Sequence, residues 1–311
     1  MIRSYSCSRR VVLLPYSRLP KSNQQTILPA LLSLHQELKM FTISYLTLLL
    51  VTLLHYVIPQ ALASPVPIGP ASKHNHPPSK FPVRILAGVR VPDTPIIRAA
   101  QSYAHSEVAA STYNHVNRAW LWATLIVQHN MTLQSLNPDL EVLAVASILH
   151  DLGTDRRPNS PHVSKDKRFE VDGAISARRF IRSHPDGKKW DERRVQMVWD
   201  AIAFHSEAKY ALWKELEVEI AYRGNEVEFS GGEKYGITEE ERRRVMDEFP
   251  DKRVQGSVVD FQIWLCTNKP ESTYDTYMQP FGEMFVPGYS AVGHRSIDRW
   301  IGTNATKPGR A

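Results

Sequence analysis

Four residues of this 311-residue chain have the types and spacing of a metal centre: His115, the adjacent pair His150 and Asp151, and His205. A neutral imidazole offers a lone pair and a carboxylate offers charge, and two such groups at consecutive positions can reach one divalent cation. Each position stands where an apolar helical segment turns polar. His115 opens a run with Val116, Ala119, Trp120, Ala123, Ile126 and Val127 at three-and-four spacing, and His150 and Asp151 close the segment 139–153, DLEVLAVASILHDLG. His205 lies near the end of 190–209, after Val195, Val198, Trp199, Ile202 and Ala203. Polar groups carried that deep into a core need partners. Any one of these histidines is more often a satisfied core residue or a cap, but each lies on a separate apolar helix at the level where it ends or turns polar, so a helical bundle can converge them.

The segments that must position them read as helices. In 139–153 Asn137 suits the N-cap, Pro138 the first turn and Gly153 the C-terminal stop, so the segment reads as one buried helix. The stretch 96–128 is helical, its second half in the core, and a polar loop 154–167 separates the central helix from a third at 170–184. After the fourth at 190–209, residues 210–235 read as less regular, with Asn225, Gly231 and Gly232 marking turns. Thr238 and Glu241 form a capping box before 239–249. A last helix, 254–268, stops at Pro270, and the tail from Glu271, with Tyr274, Tyr277, Phe281, Phe285 and Tyr289, is expected to pack over the helices as an ordered loop. No strand series and no repeat is legible. The expected fold class is all-α, a single helical domain over 96–298 with an extended N-terminal arm, and a tail over 299–311.

Charge points away from nucleic acid. The net charge is +6, but residues 1–63 hold six of the 38 basic and one of the 32 acidic residues, which leaves +1 on the remainder. That leader contains the apolar run 41–58 and Ala61-Leu62-Ala63 before Ser64, the form of a signal-peptidase site, so residues 40–63 are expected to be a signal peptide and the protein secreted. Residues 1–39 then read as an upstream extension or a mistaken start. Retention of 41–58 as a membrane anchor and a mitochondrial presequence are the alternatives. Residues 64–95, rich in proline, read as an extended arm in which His74 and His76 are solvated. Only Cys7 and Cys266 exist, so a chain without its leader forms no internal disulfide. The sequons at Asn130 and Asn304 are compatible with secretion.

The order His115, His150-Asp151 in LAVASILHDLG, and His205 in VWDAIAFHS resembles the HD-domain metal-dependent hydrolase superfamily. Within it, SKDKRFEVDGAISARRFI, VWDAIAFHS and TNKPESTYDTY resemble the fungal cyanamide hydratase (urea hydro-lyase) group, over residues 92–298. The resemblance implies an all-α HD fold in which His115, His150 and Asp151 are the first three metal ligands. At the fourth position, an aspartate in other members, this chain carries Asn268 in Thr267-Asn268-Lys269, a neutral and weaker ligand, or the position is open to water. Phe169 stands where two-metal members carry a histidine, which implies one divalent transition metal, zinc or iron.

The implied chemistry is addition of a metal-activated hydroxide to the carbon of a small nitrile-like substrate, cyanamide giving urea. His205, Asp155 and Glu170 are the candidates for proton transfer. Glu170 and Asp172 either orient His150 from behind or cap the third helix. Two imidazoles and one carboxylate leave a net positive site suited to a small neutral substrate. Two other readings stay open. Arg156, Arg157, Lys165, Lys167 and Arg168 could clamp the phosphate of a nucleotide or phosphate ester in an HD phosphohydrolase. Alternatively, Asn268 marks a secreted binding protein that has kept the bundle and lost catalysis.

Overall fold

The computed structural model describes residues 81–250 and 254–302. Among them a hairpin, β1 (Val83–Leu86) and β2 (Val89–Pro92), leads into twelve helices. These are α1 (Pro95–Glu107), α2 (Ala110–His129), α3 (Met131–Leu136), α4 (Leu140–Leu149), α5 (Phe169–Ser183), α6 (Glu192–Ala203), α7 (Ala208–Ala211), α8 (Leu216–Ser230), α9 (Glu239–Glu248), α10 (Val254–Asn268), α11 (Gln279–Phe285) and α12 (Ser296–Ile301). The all-α class expected from the periodicity holds. The leader, His74 and His76, the proline-rich stretch as far as residue 80, and Asn304 lie outside the described residues.

The central helix α4 is apolar on every side and buried from Glu141 to Leu149, as a helix without a solvated face must be. Its cap is Asp139, not Asn137: the Asp139 carboxylate accepts from Glu141 N and Val142 N at 3.1 Å each. Asn137 instead ends α3 in the left-handed region at φ 50°. Arg194 of α6 clamps the same end through Asp139 and Glu141 at 2.8 and 2.7 Å. Helices α2, α6 and α8 pack around α4 and enclose the main core.

Two close approaches fix how the helices sit. A Cβ on Gly224 of α8 would stand 2.7 Å from the Ala119 carbonyl oxygen and 2.7 Å from the Ala123 Cβ of α2, so only glycine permits this contact. Helix α8 therefore runs unbroken through Asn225, where a turn was expected. Gly153 also has a packing role and no left-handed φ. A Cβ there would meet the Phe169 carbonyl oxygen at 2.0 Å, and one on Gly173 would meet the His150 carbonyl oxygen at 2.8 Å. The segment that follows His150 is thus pressed onto the start of α5.

Three further expectations are corrected. The arm does not stay extended to residue 95: Ala87 and Gly88, at φ 50° and 78°, close a two-residue hairpin turn, and Val89 and Val91 of β2 are buried in the main core. Four-residue strands carry too little alternation to stand out beside prolines. Residues 190–209 do not form one helix, since α6 stops at Ala203 and His205 lies beyond it. The tail contains α11 and α12 instead of a loop alone, and Met278 joins Phe169, Phe261 and Leu265 in a small second core.

Lys269 locks the end of α10 to the start of α5. Its ammonium lies 2.7 Å from the Asp172 carboxylate, with both side chains under 5% exposed, and Asp172 also accepts from Ser164 N. Lys269→Met leaves a buried carboxylate without its cation and is expected to cost about 3–5 kcal/mol in urea unfolding. A loss below about 1 kcal/mol, the range of exposed pairs, would show that the bond does not hold the two helices.

Candidate metal centre

His115, His150 and Asp151 bring their ligand atoms together, and His205 stands beside them against the other carboxylate oxygen of Asp151. His115 sits on α2, His150 is the C-cap of α4, Asp151 follows it, and His205 stands two residues past α6. His150 Nε2 lies 3.2 Å from His115 Nε2 and 3.6 Å from Asp151 Oδ2. His115 Nε2 is 3.8 Å from Asp151 Oδ2, and His205 Nε2 is 3.7 Å from Asp151 Oδ1. Ligands bound about 2.0–2.1 Å from a tetrahedral cation stand about 3.3–3.4 Å apart, so these separations are close to those of a ligand shell.

The hydrogen bonds behind the rings decide what the front atoms can do. His150 Nδ1 lies 2.8 Å from the Ser147 carbonyl and His205 Nδ1 2.7 Å from the Ile202 carbonyl, so each Nδ1 donates and each Nε2 presents a lone pair. Behind His115 stands Glu228, with its carboxylate 3.6 Å from Nδ1. No lysine or arginine among the described residues pairs with Asp151. Lone pairs and a carboxylate therefore converge where a shared proton or a cation relieves their repulsion, and the buried group His115, His150 and Asp151 can hold a metal ion.

Without an ion, a proton fills that need. Burial opposes charge on His115, but Glu228 and Asp151 outweigh it and hold the imidazole above its ordinary range. Burial pulls His150 down to about 3, so it stays neutral and accepts. Burial would raise the Asp151 carboxyl, yet the imidazoles of His150, His115 and His205 hold it below the usual carboxylate range.

Glu228 is the residue that the sequence reading missed. Its carboxylate takes a bidentate bond from Arg118 at 2.8 and 2.7 Å and another from Trp122 Nε1 at 2.9 Å. Burial opposes its charge, but His115 and Arg118 hold the carboxyl well below its ordinary value. A signal existed in Arg118, fully buried within an apolar run, because a guanidinium there demands a facing acid.

Other expected site residues lie elsewhere. Asn268 is exposed and donates to the Trp264 carbonyl of its own helix at 2.9 Å. The buried residue of the pair Asn268-Lys269 is Lys269, just past the end of α10, and it bonds to Asp172 and not to the cluster. His205, unassigned among the ligands, is the fourth group facing Asp151. Glu170 is fully buried but engaged by Arg168 and by Ser206 Oγ, which donates to it at 2.5 Å, and neither Glu170 nor Asp172 orients His150. Asp155 belongs to a second group, with Glu107 and His162. Arg157 already supplies the cation there, 2.8 Å from Asp155 and 2.5 Å from Glu107. Burial would raise the Asp155 carboxyl, but Arg157 keeps it low and ionised.

Two cavities open from the cluster, and His115, Asp151, Thr154, Val258 and Phe261 border both. One, of about 540 Å³, runs toward Asp155 and Arg156, and the other, of about 360 Å³, runs toward His205, Asn225 and Gln262. Comparison of the sequence with protein-family models and with curated proteins finds no match.

Two outcomes follow from this geometry. A cation must displace the proton favoured on His115, so zinc titrated into weakly buffered protein near neutral pH should release protons, and its affinity should fall with falling pH. An affinity that does not change between about pH 8 and 6 would contradict the assigned ligand. Glu228→Gln should weaken zinc about 10–100-fold in competition with a chelator, and an unchanged affinity would remove Glu228 from the support of His115.

Proposed function

We propose that the chain is a metal-dependent hydrolase or hydro-lyase of the HD-domain superfamily that hydrates a small neutral nitrile-like substrate, as cyanamide is hydrated to urea. The observation that carries this reading is the convergence of three imidazole Nε2 atoms and one carboxylate beside two cavities. A single zinc or iron ion held by His115, His150 and Asp151 would supply Lewis acidity and acidify a water.

The chain's own groups handle the proton. In the balanced reaction the water oxygen adds to the nitrile carbon, a proton reaches the nitrile nitrogen, and the resulting isourea tautomerises to urea. His205 is the candidate best placed to carry that proton. Its Nδ1 is committed to the Ile202 carbonyl, which leaves Nε2 to accept and return a proton beside Asp151. Glu170 lies behind Ser206 and is occupied by Arg168, while Asp155 is occupied by Arg157. Val258 and Phe261 supply an apolar wall that limits water at the reacting carbon.

The phosphate reading has less support. Of the basic residues expected to clamp a phosphate, Arg157 is paired with Glu107 and Asp155, Arg168 with Glu170 and Glu207, and Lys167 with Asp166, and Lys165 borders neither cavity. Arg156 lines the larger cavity but lies over the rings of Phe261 and Trp264 at 5.3 and 5.9 Å. One guanidinium is a thin clamp for a phosphate ester.

Metal-loaded protein is expected to release urea from cyanamide, and His205→Gln to lower kcat by about 10²-fold or more at unchanged metal content. Steady nucleotide hydrolysis with no urea would overturn the reading in favour of a phosphohydrolase. Loss of metal from His205→Gln would make His205 a ligand instead of the proton carrier.

A further inference from the structure

One face of α8 and one face of α10 border the smaller cavity. Tyr222, Asn225, Glu226 and Phe229 line it at the three-and-four spacing of a single helical face, and Val258, Phe261 and Gln262 do the same from α10. Elsewhere α8 packs on α2, α4 and α6, and α10 packs on α11. His115, Asp151 and His205 border the same space, so these two helical walls begin at the metal centre.

The walls are aromatic. Phe169, Tyr222, Phe229, Phe261 and Tyr277 all line the cavity. Phe169 and Phe261 also serve the small second core, where their rings meet edge to face at 5.1 Å. Phe229 has no such duty: it is half exposed and belongs to neither core. A half-exposed phenylalanine at the edge of a cavity is stabilised when an apolar ligand covers it. The one carboxylate on the α8 wall is already satisfied, since Glu226 accepts from Lys234 Nζ and the Tyr235 hydroxyl at 2.8 Å each. The larger cavity offers the opposite surroundings, because Glu107, Asp155, Arg156 and Arg157 border it and an apolar group there would strip water from charges. Size agrees with the chemistry of the walls. At ~30 Å³ for a water-sized group, a cavity of about 360 Å³ takes on the order of ten such groups, far more than cyanamide supplies.

We propose that the smaller cavity is a slot for a flat apolar substituent and that the chain hydrates aromatic nitriles, with the ring against Phe229 and Phe261 and the nitrile carbon at the Asp151 end. The inference rests on the metal-centre reading above for the reaction, whereas the slot is built by side chains alone. Water adds across the carbon–nitrogen triple bond, oxygen to carbon and one proton to nitrogen, and the imidic acid then tautomerises to the primary amide.

The test is ligand-observed NMR titration of the full chain, with and without added zinc, using two primary amides that differ in the ring, benzamide and acetamide. Benzamide should bind about tenfold or more tightly than acetamide in both states. Phe229→Ala should weaken benzamide about 3–10-fold and leave acetamide within about twofold, at unchanged Tm. Phe229→Tyr keeps the ring and should keep the preference. Equal affinity for the two amides, benzamide binding unchanged in Phe229→Ala, or a preference lost in Phe229→Tyr would overturn the slot. Turnover is read separately on cyanamide and benzonitrile. Urea formation without benzamide formation would overturn the substrate class, and no product from either nitrile beside an intact ring preference would count against the metal-centre reaction only.

Discussion

The structure depends on a local excess of acceptors. His150 and His205 are turned by the carbonyls of Ser147 and Ile202 so that their Nε2 lone pairs face the space in front of Asp151, and His115 joins them with Glu228 behind it. Such a cluster is electrostatically costly unless a proton or a metal ion shares it. The surrounding protein bears this cost. The apolar helix α4 gives His150 and Asp151 a rigid base, and Arg118 both neutralises Glu228 and anchors it to α2.

Backbone contacts set the cluster to the fraction of an ångström that coordination requires. Gly224 lets α8 approach α2, which places Glu228 one turn later beside His115 and Trp122. Gly153 and Gly173 let the turn after His150 lie against the first turn of α5. A side chain at any of these glycines would push apart the elements that carry ligands. The Lys269–Asp172 pair holds the far wall in place, and with it Phe261 and Gln262 on α10.

Much of this was legible in the sequence, and the limits have physical causes. The all-α class followed from apolar periodicity, and the grouping of His115, His150 and Asp151 followed from polar residues at the ends of apolar segments together with the resemblance to the HD pattern, while His205 was a candidate without an assigned place. The hairpin was not legible because its strands are four residues long and lie beside prolines. The stretch 210–235 was read as less regular because Asn225, Gly231 and Gly232 look like turns, whereas α8 runs through Asn225 and ends only at Ser230, and Gly224 serves helix packing. That misreading also hid Glu228. Asn268 was expected to face the site because a motif gives position along the chain but not the direction of a side chain, and at the end of α10 its amide turns back to the Trp264 carbonyl on the surface. The bonds of Arg157 to Glu107 and of Arg168 to Glu207 are tertiary and could not be read from basic residues in a loop.

The central claim is that imidazole nitrogens and the Asp151 carboxylate bind one divalent cation. X-ray absorption of the zinc-loaded protein tests it most directly. The account predicts a shell of nitrogen and oxygen at about 2.0–2.1 Å, with the outer-shell scattering of at least two imidazoles that is lost in His150→Ala. A shell of oxygen alone, or imidazole scattering that persists unchanged in His150→Ala, would contradict it.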